Sequence, residues 1–372
     1  MPRHPVRALF VGSLASLFLS TCAHGDTFAD QSVQNRLDPL ALDFQELSKT
    51  GFSGSILVAC DGEILFKNDY GVFPEEGQTV RYEVASITKW ITAITVLKLV
   101  DDRVVSLDDH LTRFWPDAPS DKADITVSQL LLHQSGIDQN YAAEGQFTLD
   151  AASNAIFEQP LIDLANDRFS YSNDNYSLLA MIIELVTEQG YQAYMTETVM
   201  TPLGLEPIAF WPDDIRASEH FPPLLNPRDS EGRQKDWGFR GGHGARLSVE
   251  ELHQIYLGVV NGKILSPGSV KLLFSPQHNR PSGTGIAFGW YTNVDEEGRH
   301  LGSTRGHDDS GGNAVLYRVD NDGLIVIAAT NHGPAREHGP GWSRDARDLM
   351  LSHLASGENQ IDICHRTSGA FD

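Results

Sequence analysis

The sequence predicts an α/β (α+β) fold: one antiparallel sheet built from both ends of the chain, flanked by helices, with a large, mostly helical region inserted between. Three observations predict it. Residues 54–60 and 63–67 are runs rich in Ile, Leu, Val and Phe on either side of Asp61-Gly62, and an Asp-Gly between such runs is a strong hairpin signal because it accepts the backbone angles of a tight turn. Near the other end, 286–292, 314–319 and 324–330 read as strands, the last two joined through Asn321-Asp322-Gly323. Between these ends lie segments with helical spacing of apolar residues at 87–101, 127–133, 176–189, 191–199 and 249–260. Ser248 with Glu251 three residues on is a capping box that opens the last of them. A further helix at 342–355 carries Leu349, Leu351 and Leu354 on its apolar side, and the Pro- and charge-rich stretch 205–240 reads as irregular.

The chain has 372 residues, 41% hydrophobic and 21% charged, enough apolar material to bury a large core and too much for a disordered chain. Fifty acidic residues against 28 basic ones give a net charge of −22. That balance argues against nucleic acid or anionic lipid as the main partner, since phosphate binding needs concentrated positive charge. Arg3 and Arg7 precede an apolar run from Ala8 to Leu19, too short to span a bilayer, and Ala23-His24-Gly25 offers a small-x-small exit. Residues 1–25 therefore read as a secretory signal peptide, which makes the protein exported, periplasmic or extracellular. A competing reading takes Leu19-Ser20-Thr21-Cys22 as a lipoprotein box, with a lipid anchor through Cys22 and an outer-membrane location. The expected organisation is then a linker at 26–40, a single domain at 41–356 with its helical insertion at about 86–280, and a tail at 357–372. Beyond Cys22 only Cys60 and Cys364 remain. An exported chain could bridge them; the favoured expectation is two separate thiols, with Cys60 packed as a small hydrophobe in a strand.

Three short segments carry chemistry. Ser86-Ile87-Thr88-Lys89 stands at the start of a very apolar helix, and positions i and i+3 share a helix face, so the Lys89 amine can reach the Ser86 hydroxyl. Burial against Trp90, Ile91 and Ile94 would lower the amine pKa, and a neutral amine beside a serine at a helix N-terminus makes an activated nucleophile. Tyr171-Ser172-Asn173 precedes the next long helix; Tyr171 can bring a phenol or phenolate to the serine, and Asn173 a carboxamide to a substrate amide. Gly306-His307-Asp308-Asp309 precedes the strand at 314–319, where His307 could orient a substrate or assist proton movement. Taken singly, each has an ordinary alternative: an N-cap serine followed by a surface lysine, a helix-capping turn, a structural histidine.

Taken together, the order and spacing of Ser86-x-x-Lys89, Tyr171-x-Asn173 and His307 resemble the serine β-lactamase and penicillin-binding-protein superfamily, nearest to its class C-related branch of esterases and D-stereospecific peptidases. Gly54-Ser55-Ile56-Leu57-Val58 with its Asp61-Gly62 turn is similar to that family's opening hairpin. Leu131-Leu132-His133-Gln134-Ser135-Gly136 resembles its Leu-Leu-x-His-x-Ser-Gly signature, one residue short. Phe169–Asn173, Pro202-Leu203-Gly204-Leu205 and Thr330-Asn331 keep the same register, so the likeness covers roughly residues 40–355. It implies a β-lactamase/transpeptidase-like fold and an acyl-enzyme on Ser86. Lys89 and Tyr171 would share the acid and base roles, with an oxyanion hole from the Ser86 N–H and a second N–H after His307. Asn173, His307, Asp309 and Ser310 fall at substrate-binding positions, and the substrate would be a small ester, amide or peptide, with no cofactor and no metal. A non-catalytic, cell-wall-binding or penicillin-binding relative of the same fold is the alternative.

One departure bears on substrate. Members of the family carry Gly two places after the third-motif His or Lys, where this chain has Asp309, with Asp308 before it. Two acids there would repel carboxylate-bearing substrates such as β-lactams and D-Ala-D-Ala termini, so neutral esters or amides are expected unless Gly311 and Gly312 restore the edge through a shifted alignment. A Glu-positioned deacylating water has no carrier; near Leu224-Leu225-Asn226 the preceding residues are Phe221, Pro222 and Pro223. The fourteen histidines form no His-Glu-x-x-His or similar ligand spacing. Gly241-Gly242-His243-Gly244 reads as a tight turn lining the active-site wall rather than a phosphate cradle.

Overall fold

The computed structural model describes residues 27–71, 74–162, 168–211, 213, 215–222, 236–294, 298, 300–308, 312–319, 323–331, 342–355 and 364. The expected signal peptide with Cys22, Asp309, Ser310, the segment 223–235 and the expected tail apart from Cys364 lie outside them. In chain order the elements are α1 (Thr27–Lys49), β1 (Gly54–Cys60), β2 (Glu63–Tyr70), β3 (Thr79–Val80), β4 (Tyr82–Glu83), α2 (Ile87–Asp101), α3 (Val127–Leu131), α4 (Leu149–Phe157), α5 (Asn173–Thr187) and α6 (Tyr191–Met195). They continue with β5 (Ala209–Phe210), β6 (Glu219–His220), β7 (Ala245–Leu247), α7 (Val249–Val260), α8 (Pro267–Phe274), β8 (His278–Asn279), β9 (Gly285–Ile286), β10 (Tyr291–Val294), β11 (His300–His307), β12 (Asn313–Val319), β13 (Leu324–Thr330) and α9 (Trp342–Ala355).

The main sheet has eight strands in the order β2-β1-β13-β12-β11-β10-β9-β8, all pairs antiparallel. β1 lies beside β13 with Gly54 opposite Thr330, so the two chain ends meet in the middle of the sheet, as the sequence predicts. Both faces are covered. Leu57 and Ala59 of β1 and Ile325, Ile327 and Ala329 of β13 face the core that holds the inserted helices. Ile56 and Val58, with Leu324, Val326 and Ala328, face a second core under α1 and α9. Alternate residues of a strand point to opposite faces, so a strand covered on both reads as one continuous apolar run; that is why β1 and β13 are buried along their whole lengths.

Several boundaries differ from expectation. The stretch 26–40, expected as a linker, is helical from Thr27 onward. α5 begins at Asn173 behind an extended Ser172, three residues earlier than its apolar spacing signals. The run 286–292 divides into β9 and β10, which fold back on each other. β11 was not foreseen at all, because His300–His307 carries Gly302 and Gly306 where a strand would bury apolar side chains. Its inward positions are pressed too closely for a side chain: a Cβ on Gly302 would lie 2.5 Å from Trp290 Nε1, and one on Gly306 would lie 2.0 Å from the Val84 carbonyl oxygen and 2.7 Å from Ser86 N. The glycines let the first turn of α2 rest directly on the sheet.

The two remaining cysteines are joined. Cys60 at the end of β1 and Cys364 form a disulfide with Cα atoms 5.3 Å apart, across 304 residues of sequence, which overturns the expectation of separate thiols. Beside the main sheet, Arg81 is buried between Glu251, which accepts from its Nε at 2.9 Å, and Glu219. Glu251 also closes the capping box of α7 by accepting from the Ser248 N–H. The Arg81 guanidinium, just before β4 on the chain leading into Ser86, thus ties β6 through Glu219 to the start of α7 through Glu251. Among the described residues no helix is long and apolar enough to cross a membrane.

Candidate active site

Ser86 stands between β4 and α2, as the residue before the helix begins. The turn that delivers it is fixed from several sides. Glu83 N–H donates to Asn331 Oδ1 at 3.2 Å, and Val84 N–H donates to the Ala245 carbonyl at 2.9 Å. Thr88 Oγ1 donates to the Ala85 carbonyl at 2.7 Å and accepts from Ala245 N–H at 3.1 Å. Ala85 is held at φ 45°, a left-handed conformation that costs an L-residue roughly 1–2 kcal/mol and persists where the surroundings over-determine it. The helical bonds of α2 begin at Ile87, Thr88 and Lys89, so the Ser86 N–H, pressed against Gly306, is available to a substrate oxygen.

Lys89 follows one turn later and is buried. Its Nζ lies 3.2 Å from Ser86 Oγ, 2.5 Å from Asn173 Oδ1 and 2.7 Å from the Gly242 carbonyl, and over the Tyr171 ring at 4.7 Å. All these partners are neutral. With no carboxylate to offset desolvation, burial holds the amine well below its ordinary value. The Tyr171 hydroxyl is 2.6 Å from Ser86 Oγ; burial pushes its pKa upward, only partly opposed by the Ser86 hydrogen bond and by Arg305. The two groups flanking the serine are therefore set apart: an amine whose charged form burial disfavours, suited to take a proton, and a phenol whose ionised form burial disfavours, suited to give one.

Asn173 opens α5. Its N–H donates to Gln139 Oε1 at 2.6 Å, and its side-chain oxygen holds Lys89, which leaves the amide nitrogen for a substrate. His307 ends β11, one residue past Gly306, with its Nδ1 paired to Asn313 Oδ1. The Gly241–Gly244 segment does form a turn at the site wall: Gly241 has φ 83°, its carbonyl accepts from Thr92, and the next carbonyl accepts from Lys89. Asp309 and Ser310, expected at substrate-binding positions, lie outside the described residues.

Sequence reading did not assign a role to His133. It is buried at φ 57°, its ring stacked on Tyr171 at 4.6 Å and edge-on to Phe169. Nδ1 accepts the Ser172 N–H at 3.1 Å, which places the remaining proton of the neutral ring on Nε2. Burial keeps the ring neutral. The signature around it is complete when counted from Leu130: Leu130 and Leu131 are its buried leucine pair, and the missing residue is Leu132. Replacing His133 by Phe keeps the ring stack and removes the acceptor that fixes the Tyr171 loop. A loss of roughly 10- to 100-fold in kcat on p-nitrophenyl acetate is expected, with Asn, which restores an acceptor, recovering part of it.

The other wall of the cleft is formed by Ile286, Ala287, Trp290, Tyr291, Thr304 and Arg305. On the far side of the Ser86 turn, Glu83, His243 and Asp308 bring their ligand atoms within 4.8 Å of one another. This donor set is of the kind that takes a divalent cation, and residues so far apart in sequence gave no spacing by which to find it.

A family model described as Beta-lactamase matches residues 43–349. The chain belongs to the β-lactamase family. Within it, the chain is similar to Protein flp of Staphylococcus aureus (strain NCTC 8325 / PS 47), 27% identical over 303 residues that cover 74% of this chain and 59% of that protein. It is 24% identical over 259 residues to the putative penicillin-binding protein PbpX of Bacillus subtilis (strain 168), covering 66% of this chain and 65% of PbpX. The chain thus spans less than two thirds of either relative. Among solved structures, D-amino acid amidase from Ochrobactrum anthropi SV3, in complex with L-phenylalanine, superposes with a TM-score of 0.70 at 19% identity, covering 87% of this chain and 98% of that one. The sheet assembled from both chain ends with its helical insertion is the fold this chain shares with that amidase.

Proposed function

We propose that this chain is an exported serine hydrolase that cleaves esters or amides through an acyl-enzyme on Ser86. The observation that carries the reading is the buried Lys89 amine, 3.2 Å from Ser86 Oγ and surrounded by neutral partners. Lys89 takes the Ser86 proton as Oγ bonds to the carbonyl carbon, and the Ser86 N–H receives the developing oxyanion. Tyr171 gives its proton to the leaving atom as the carbonyl–heteroatom bond breaks, and the Lys89 ammonium returns a proton to the phenolate. Water then attacks the acyl carbon, losing its proton to the same amine–phenol pair, and Ser86 Oγ leaves with a proton. The Cys60–Cys364 disulfide supports an oxidising compartment and thereby export. Amides of D-amino acids belong among the substrates to be tried, in view of the Ochrobactrum amidase likeness.

The test is covalent. Incubation with a fluorophosphonate is expected to add one phosphonyl group to the peptide that holds Ser86, and none to Ser86→Ala. A fluorescent penicillin separates the subclasses: labelling by the phosphonate alone places the chain with esterases and amidases. Failure of both probes to label Ser86 overturns the reading in favour of a non-catalytic relative.

A further inference from the structure

Outside the cleft, donor side chains from three distant parts of the chain converge. Glu83 lies in β4, His243 in the Gly-rich turn before β7, and Asp308 just past β11. Each places one ligand atom so that all three atoms lie within 4.8 Å of one another. Glu83 and His243 are buried, and Asp308 is half-buried. Ligands of a tetrahedral zinc stand about 3.4 Å apart, at bond lengths of about 2.0–2.1 Å, so modest side-chain rotations close the three around one ion.

The backbone that carries each donor is held by contacts of its own. The Glu83 N–H donates to Asn331 Oδ1. A Cβ on Gly312 would lie 2.9 Å from the Glu83 carbonyl oxygen and 3.1 Å from its Oε2, so that glycine lets the Glu83 carboxylate rest against the chain entering β12. His243 is set between Gly241 and Gly244, at φ 83° and 94°, and its ring packs edge-on against Phe239 at 4.7 Å. The Asp308 N–H donates to the Gly312 carbonyl at 2.8 Å, which closes a short turn beside Glu83. Donors fixed in this way form a site with little left to organise when a ligand arrives. Two carboxylates gathered in so small a space repel one another, and a divalent cation balances both charges. The imidazole sets the preference: a nitrogen beside two carboxylate oxygens suits zinc and its neighbours, whereas magnesium and calcium take oxygen ligands.

We propose that Glu83, His243 and Asp308 hold a divalent metal ion of the zinc class, against the sequence-based expectation of no metal. The ion pins three segments that each carry part of the cleft. β4 leads into Ser86, the 241–244 turn supplies the Gly242 carbonyl that accepts from Lys89, and the end of β11 presses Gly306 against the Ser86 N–H. Its role is structural, and the site stands whether or not Ser86 is acylated.

The test uses the chain prepared without a histidine tag, stripped with EDTA and dialysed. Titration with zinc chloride against a chromophoric chelator is expected to show one tight site per chain. Affinity is expected to fall about 100-fold in Asp308→Asn and in Glu83→Gln, since losing a ligand costs at least as much as losing an outer-shell partner. His110→Asn, which removes an exposed histidine elsewhere, leaves it unchanged. Cobalt in place of zinc is expected to give the visible d–d absorption of a low-coordinate site in the wild type and not in Asp308→Asn. Excess zinc should raise the wild-type Tm by about 3 °C or more, and that of Asp308→Asn by less than about 1 °C. Asp308 is half-buried, so its amide variant decides the question even if Glu83→Gln fails to fold. A wild type that takes up no zinc, or zinc binding as tight in Asp308→Asn as in the wild type, overturns the proposal and leaves the three side chains as an imidazolium held between two carboxylates.

Discussion

Lys89→Met is expected to lower kcat/KM for ester hydrolysis by about 10³- to 10⁴-fold. The substitution keeps the length and apolar stem of the side chain while removing the amine placed to take the Ser86 proton directly, at 3.2 Å. Tyr171 does not substitute for it, because burial holds the phenol protonated. Two pH measurements check the assignment. The amine works as a base only when unprotonated, and burial moves its pKa well below the ordinary 10.5; kcat/KM therefore falls on the acid side as the folded amine gains its proton, and this limb disappears in Lys89→Met. Stability carries the same signature with its own sign. Above the unfolded-state value of 10.5 the amine is neutral in both states and burial costs nothing. As pH drops from there toward the folded pKa, the unfolded chain binds the extra proton, so the wild-type protein loses stability relative to Lys89→Met. The difference in Tm, wild type minus variant, is expected to rise with pH across the range from neutral to 10. A flat difference, together with a retained acid limb in the variant, would assign the base role to another group.

The candidate site residues were readable where their contacts are local. Ser86 and Lys89 share a helix face, and that spacing alone fixes which atoms can meet. Tyr171 and Asn173 could be read as a phenol and a carboxamide on a loop before a helix, but only the resemblance joined them to Ser86, since nothing in the sequence says that a loop 85 residues on closes over it. The Gly242 carbonyl, 153 residues from Lys89, could be read only as part of a turn. The fold was legible for a similar reason: β1 and β13 announce themselves as unbroken apolar runs because both faces are covered. β11 was lost because its inward residues are glycines chosen for close approach, which remove the hydrophobic alternation that marks a strand. The arginines near the site were missed for the opposite reason. Exposed Arg280 and Arg305 look in sequence like any solvated cations, and only their places over Phe169 and Tyr291 set them apart.

Cys364→Ser is expected to lower the stability of the folded chain by about 2–5 kcal/mol, read as a fall in Tm of roughly 5–15 °C. In sequence the pairing was the less favoured of two readings: a cysteine in a buried strand is an ordinary small hydrophobe, and a partner 304 residues away leaves no spacing to recognise. Physically the bond joins what the sheet already brings together. Cys60 lies opposite Leu324 in the β1–β13 pair, and Cys364 is buried in the same core as Phe44, Val326 and Met350, beneath α1 and α9. Closing a loop of that length removes many conformations from the unfolded chain, and it also fixes a residue beyond α9 to the central strands. Serine at 364 tests this cleanly, because the substitution leaves the packing of Cys60 within β1 in place. Dithiothreitol should lower the wild-type Tm by a similar amount and leave Cys364→Ser unmoved. Thiol alkylation of the unreduced, unfolded wild type should modify neither Cys60 nor Cys364. Alkylation of both, or a Tm within about 1 °C of wild type in Cys364→Ser, refutes the bridge. Because Ser86 and Lys89 sit on the opposite face of the sheet, packed with the inserted helices, the reduced protein should keep its Ser86 reactivity toward the phosphonate below its lowered Tm.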